Sequence, residues 1–286
     1  MRVITSPLEM QRHALAVRAA GKTIGLVPTM GYLHEGHASL ARLLRERCDE
    51  LVLSIFVNPT QFGPGEDLDK YPRDFERDEK ICRDAGVDTI FLPGAADMYP
   101  EGYSVYLEER ALSAGLCGVS RPNHFRGVLT VVAKLFNLCL PHLAVFGEKD
   151  AQQLRVIRRM VLDLNFPLEI VAGPIVREAD GLAMSSRNKY LTPEQRRDAV
   201  VLRQSLDLAE ILAAGGVTDG PSVLAAVREH IESSPHARID YAELVDDLTL
   251  APVTKIKAPA LLALAVHFGR ARLLDNTVLK PPAGSA

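Results

Sequence analysis

Pro28-Thr29-Met30-Gly31-Tyr32-Leu33-His34-Glu35-Gly36-His37 follows directly on a β-rich run at residues 23–27, and its reading decides the fold. A short apolar run, a glycine-containing turn and a helical pattern describe a strand feeding a helix. In open α/β sheets, ligands bind beyond the carboxyl ends of such strands, where helix N-termini offer N–H groups to phosphates. If Gly36 and His37 open the helix, His34 and His37 share a face, and both imidazoles can donate hydrogen bonds to a triphosphate. Taken alone, His-x-x-His is more often an ordinary pair of histidines. Zinc of the metalloprotease kind needs histidines four apart with Glu between them, so this spacing points away from that metal.

Outward from this turn, β-rich runs at 51–57, 89–92, 143–146 and 168–171 alternate with helical patterns. That rhythm predicts βαβ units: an α/β, Rossmann-like parallel sheet with helices on both faces. After Arg187 the pattern changes to a long helix over 193–213, a Gly215-Gly216 break, a helix over 221–233 and β-like runs at 239–245 and 261–268. The expected organisation is therefore a Rossmann-like domain at 1–176 and a smaller C-terminal α+β lid domain at 177–286, ending in a disordered tail at 281–286. Ser6-Pro7-Leu8-Glu9 and Thr192-Pro193-Glu194-Gln195 read as capping boxes, so helices start at both places.

The 286 residues are 47% hydrophobic and 24% charged, enough to bury a core and unlike a disordered chain. A net charge of −3 provides no basic field for nucleic acid. Cys48, Cys82, Cys117 and Cys139 are widely spaced without a Cys-x-x-Cys pair, which reads as reduced core thiols. The start lacks a secretory pattern, and the apolar stretches at 128–140 and 258–268 are too short to span a bilayer, so a cytoplasmic protein without membrane contact is expected. The stretch at 128–140 reads either as part of an interface between copies of the chain or, by its periodicity, as a buried helix of the sheet domain.

Three further segments carry chemistry. In Asn58-Pro59-Thr60-Gln61-Phe62, Pro59 stops a strand and leaves two amides at the sheet's carboxyl edge, either as readers of substrate oxygens or as a plain turn. In Phe146-Gly147-Glu148-Lys149-Asp150, Gly147 permits close backbone approach, Lys149 can neutralise phosphate and Asp150 can position Mg²⁺ or a ribose; a solvated charged turn is the bland alternative. Met184-Ser185-Ser186-Arg187 supplies hydroxyls and a guanidinium fork for a pyrophosphate, or else a polar linker. Arg121 is a further cationic candidate.

With Tyr71-Pro72-Arg73, His124-Phe125-Arg126-Gly127-Val128, Gln152-Gln153 and the run 180–188, these segments together resemble the pantoate-beta-alanine ligase (pantothenate synthetase) family, in order and spacing, over nearly the whole chain. The resemblance implies that pantoate attacks Mg-ATP to give pantoyl adenylate and pyrophosphate, and that β-alanine then displaces AMP. It implies an ATP site of Met30, Gly31, Tyr32, Leu33, His34, Glu35, Gly36, His37, Gly147, Glu148, Lys149, Asp150, Val176, Met184, Ser185, Ser186 and Arg187. His37 would be the proton donor, with His34, Lys149 and Arg187 beside it in catalysis. Gln61 and Gln153 would fix pantoate, Gln61 would also touch β-alanine, and Asn58 and Arg121 would be supporting contacts. Cofactors would be ATP with Mg²⁺, with no metal site of the protein's own, and the assembly a homodimer. With an unperturbed value of about 6.5, a histidine beside polyphosphate could be cationic, so proton delivery and charge stabilisation both stay open for His37.

Overall fold

The computed structural model describes residues 1–66 and 68–281; apart from Pro281, the tail expected to be disordered lies outside the described residues. The chain forms two compact units. Met1–Ser113, Arg121–Glu148 and Gln153–Pro174 make the first; Ala114–Ser120, Lys149–Gln152 and the chain from Ile175 onward make the second. Among the described residues no helix is long and apolar enough to cross a membrane.

The elements in chain order are β1 (Arg2–Ile4), α1 (Pro7–Ala19), β2 (Ile24–Thr29), α2 (Glu35–Arg45), β3 (Glu50–Ile55), α3 (Phe75–Asp84), β4 (Thr89–Phe91), α4 (Ala95–Met98), α5 (Cys117–Ser120), α6 (His124–Cys139), β5 (Leu143–Gly147), α7 (Ala151–Asp163) and β6 (Glu169–Gly173). They are followed by α8 (Pro193–Asp198), α9 (Val201–Ala214), α10 (Gly220–Glu232), β7 (Ala237–Asp246), β8 (Ala260–Phe268) and β9 (Ala271–Leu279).

In the first unit all strand pairs are parallel, in the order β1-β4-β3-β2-β5-β6. Its central strands are runs of Val, Ile and Leu because both faces are covered. Ala38, Ala41 and Leu44 of α2 and Cys82 of α3 pack against Val27, Leu53, Ile90 and Val145 on one face. On the other lie α1, which buries Met10 and Ala14, and α6, whose apolar run is buried in this unit. Helices start at both expected caps, but only one is a full box: Ser6 Oγ accepts the N–H of Glu9 in a one-way cap, whereas Thr192 and Gln195 exchange bonds in a capping box.

In the second unit, β7, β8 and β9 form an antiparallel sheet in that order. Leu202, Leu206, Ala209 and Ala213 of α9 recur at helical spacing and, with Val223, Val227 and Ile231 of α10, pack on Leu262, Leu264, Val266 and Phe268 of β8. The helix expected over 193–213 is in fact two. At the join, Leu202 N–H donates to Ala199 O at 3.2 Å, a tighter turn than an α-helix makes. β1 and β9 lay outside the expected strands. β1 has only three residues, and β9 carries Asp275 and Asn276 mid-strand, both buried. Arg177 makes that tolerable by gripping Asp275 with two nitrogens, at 2.7 and 3.0 Å.

Candidate functional site

The chain runs from β2 to β3 and β4 on one side and from β5 to β6 on the other, so the sheet's order reverses between β2 and β5. Ligands of such sheets bind at that reversal. Pro28 opens it. The carbonyl of Thr29 accepts from Phe56 N–H at 3.0 Å, so strand alternation turns the donorless nitrogen of Pro28 towards β5. The β2–β5 pairing ends at Leu26↔Ala144, while the β2–β3 pairing continues to Thr29↔Ile55.

The chain then bends sharply through Gly31 (φ +80°) and Tyr32 (φ +51°). Gly31 is required by its φ and by space: a Cβ would lie 2.8 Å from Ile55 Cγ2. The Tyr32 conformation is costly for a residue with a side chain and is held from outside. The N–H groups of Tyr32 and Leu33 each donate to the Asp78 carboxylate at 2.7 Å. Asp78 is 1% exposed; burial pushes its carboxyl upward from the usual range, and the two N–H donors offset this in part. Its signal in the sequence was weak: one acid among several in a polar helix, four residues before the buried Cys82.

α2 starts at Glu35, one residue before the expected start, with His34 as N-cap. His34 Nδ1 accepts the N–H of Gly36 at 3.1 Å, His37 Nδ1 accepts the N–H of His34 at 3.3 Å, and the rings lie 4.0 Å apart. A main-chain N–H can only donate, so both Nδ1 atoms are acceptors and each neutral ring carries its proton on Nε2. The pair is thus a double Nε2–H donor at a helix N-terminus, an arrangement suited to phosphate oxygens.

At the end of β3, Asn58 is 1% exposed and fully engaged. Its Oδ1 accepts Tyr99 OH at 2.8 Å and Thr60 Oγ1 at 3.0 Å, and its Nδ2 donates to Gln61 Oε1 and Gly127 O, both at 3.1 Å. Asn58, expected as a supporting substrate contact, is held here as a buried bracket that orients Gln61. With Oε1 held by Asn58, Gln61 directs its Nε2 to Met30 Sδ at 3.0 Å, which links the β3 and β2 loops. Gly127 lets α6 approach this turn, since a Cβ there would lie 2.6 Å from Gln61 Cα and overlap the Thr60 carbonyl. Arg121 is tied to Glu66, and Gln153 is half-buried in the first turn of α7.

Gly147 ends β5 beside Gly173 of β6, and a Cβ on it would meet nothing within 4 Å, so packing leaves this position open. Glu148, Lys149 and Asp150 form a short 3₁₀ turn. In the second unit, Asn276 Nδ2 donates to Lys149 O at 3.0 Å. There, too, Met184 N–H donates to Val176 O at 3.0 Å, and Gly181 (φ +93°) turns the chain between them. Ser185 Oγ accepts from Arg187 N–H at 3.2 Å, and Ser185, Ser186 and Arg187 are half-buried. Asn188 braces this loop by donating to Glu178 Oε1 at 2.7 Å, and Arg196 bridges Glu178 and Asp180. Gln152, prominent in the sequence, is a clamp: it accepts from Cys117 N–H and donates to Gly115 O, at 3.0 and 2.8 Å.

A family model described as pantoate-beta-alanine ligase matches residues 2–278. The chain is 57% identical over 281 residues to a pantothenate synthetase of Desulfatibacillum aliphaticivorans, covering 98% of this chain and 100% of that protein. It is 55% identical over 279 residues to one of Thermotoga neapolitana, with the same coverage. Pantothenate synthetase from Thermus thermophilus has a solved structure that matches with a TM-score of 0.92 at 46% identity, over 98% of this chain and 100% of that one. A solved ligase from Francisella tularensis, complexed with β-γ ATP and β-alanine, matches at TM-score 0.81 and 30% identity over 100% of both chains.

Proposed function

This chain belongs to the pantoate-beta-alanine ligase family, and we propose that it joins (R)-pantoate to β-alanine with ATP, making pantothenate for coenzyme A biosynthesis. In the first step a pantoate carboxylate oxygen attacks the α-phosphorus of Mg-ATP and pyrophosphate leaves. In the second the β-alanine amine attacks the adenylate carbonyl, the bond to AMP breaks and the amide forms. Magnesium enters as part of the Mg-ATP substrate, because this ion is held largely by phosphate oxygens and water.

The observation that carries this reading is the His34–His37 pair, with both Nδ1 atoms occupied by main-chain N–H groups at the carboxyl end of β2. Nε2–H groups fixed in this way stabilise charge on the phosphates as it develops, without reorganising during the reaction. For His37 this favours hydrogen-bond donation from a neutral ring over the field of an imidazolium. Met30 to His37, Gly147, Glu148 and Asp150 are assigned to ATP, as are Val176 and Met184 to Arg187, with Lys149 and Arg187 neutralising phosphate charge. Gln61 and Gln153 are assigned to pantoate. All four cysteines are free thiols, which suits the cytoplasm, and a homodimer follows the family pattern.

The test is direct. Protein with Mg-ATP and pantoate should release pyrophosphate, and adding β-alanine should release AMP and pantothenate. Absence of pantoate-dependent pyrophosphate release would defeat the proposal: ATP binding without turnover would indicate a nucleotide sensor, and turnover with a different acid another adenylating enzyme. His37→Ala should lower turnover by about two orders of magnitude or more while the protein stays folded.

A further inference from the structure

β9 carries two successive buried polar residues, Asp275 and Asn276, opposite Leu264 and Ala263 of β8 in an unbroken register. Successive strand residues face opposite sides of a sheet, so the two act on different faces. On one, Asp275 holds Arg177, whose Nη1 also donates to Gly181 O at 3.0 Å, just before Met184. On the other, Asn276 Nδ2 donates to Lys149 O at 3.0 Å, in the 3₁₀ turn that precedes α7. Arg272, on the same side of β9 as Asn276, donates to Ser120 Oγ at 3.2 Å. Gln152 in turn ties the segment 114–120 to the first turn of α7 through Cys117 N–H and Gly115 O.

A buried amide in mid-strand is unfavourable unless its hydrogen bonds are replaced, because it gives up those it made to water. Its neighbours on that side of the sheet, Leu274, Val278, Leu261, Ala263 and Ala265, are apolar, so an apolar side chain would satisfy the packing there. What the amide adds is a grip on the main chain of Lys149. Lysine carries its charge on a flexible four-carbon stem, so the placement of the ammonium depends first on where its Cα is fixed. The Lys149 carbonyl adjoins that Cα and is held from a sheet whose other face is packed with α9 and α10.

From this we infer that Asn276 is a positioning residue for Lys149: its amide, fixed on β9, holds the Lys149 carbonyl and thereby sets where the ammonium meets the phosphates. The inference rests on the reaction and on the role of Lys149 proposed above. A group that stabilises developing charge acts through preorganisation, so a small displacement of it slows the reaction steeply. Asp275 braces the turn before Met184 in a corresponding way, through Arg177. Adjacent residues of one strand thus hold the main chain of both segments assigned to neutralise phosphate.

The experiment is a double-mutant cycle read by single-turnover pyrophosphate release from Mg-ATP and pantoate, with thermal melts to establish that each protein is folded. Asn276→Leu keeps the bulk of the side chain and removes the donor. Asn276→Asp keeps its shape and sets an acceptor against the Lys149 carbonyl. Each should lower the rate roughly ten- to a hundredfold, the scale of a misplaced group, with KM for pantoate in place. On a Lys149→Met background either change should slow the reaction by only about twofold or less, because the group that Asn276 positions is gone. Either Asn276 variant suffices for the cycle. A merely structural amide would slow both backgrounds alike, and that result overturns the inference, as does an undiminished rate in the folded single variants. Two variants that fail to fold would show that the amide holds the domain together, which overturns it too. Lys149→Met protein as fast as wild type overturns it while leaving the reaction standing. Wild-type protein that releases no pyrophosphate on adding pantoate would sink the reaction itself, and the inference with it.

Discussion

Asp78 of α3 accepts the N–H of Leu33 at 2.7 Å, from 45 residues away in sequence, and so anchors the turn that presents His34 and His37. Asp78→Asn replaces one acceptor oxygen with an NH₂ group facing an N–H. The expected outcome is a folded protein with kcat/KM for ATP lower by roughly ten- to a hundredfold, the range for a buried donor left unpaired. Initial rates at varied ATP check it, and an unchanged value would show that the turn holds its shape without the anchor.

The same residue has a signature in pH. Its folded value is raised above 3.8 by burial, so in the window just above 3.8 the native state holds a proton that the unfolded chain has lost. Its contribution to stability therefore declines as pH rises through that window. Asp78→Asn should remove this slope, and paired thermal melts across the acid range would reveal it. Parallel curves for the two proteins would contradict it.

His34 has two separable duties: Nδ1 caps α2, and Nε2–H faces away from the cap. Asparagine can reproduce the cap but not the Nε2–H donor. His34→Asn should keep stability within about 0.5 kcal/mol, asparagine being a strong N-cap residue. It should slow pyrophosphate release by about a hundredfold, as for the loss of one preorganised donor. Chemical denaturation and a burst assay of the first step separate the two effects.

Gly127→Ala drives a methyl group into the backbone of Thr60 and Gln61. The expected cost is about 1–3 kcal/mol of stability, as for other overpacked sites. Because Gln61 must shift, KM for pantoate should rise more than KM for ATP. Equal changes in both constants would separate Gln61 from pantoate binding.

Asp275, with its side chain fully buried, is paired with Arg177, which is 22% exposed. Asp275→Ala should destabilise the protein by about 3–5 kcal/mol, because it strands a guanidinium inside. The double variant Arg177→Met/Asp275→Leu should recover much of that loss. Urea titrations of the three proteins decide the point.

Much of the first unit was legible in the chain. Alternating β-rich runs and helical patterns identify a parallel sheet because strands covered on both faces must be largely apolar, as residues 51–53 of β3 and 143–146 of β5 are. The caps at Ser6 and Thr192 were readable because N-cap chemistry is local. β9 was not, because its mid-strand Asp275 looks like loop until Arg177, 98 residues away in sequence, is seen to hold it.

The sequence by itself determined most of the elements, the family and the segments that carry the chemistry, since propensity, capping and motif spacing act within a few residues. Only the tertiary structure decided what each polar group is for. Asn58 and Gln61, three residues apart, look alike as amides, yet one is a buried bracket and the other is oriented by it. Glu66 and Asp78 look like ordinary acids, yet each is paired across 45 or more residues, with Arg121 and with the backbone of the His34 turn. A polar side chain's role depends on which donors and acceptors remain unsatisfied around it once the chain has folded, and that information lies in the packing.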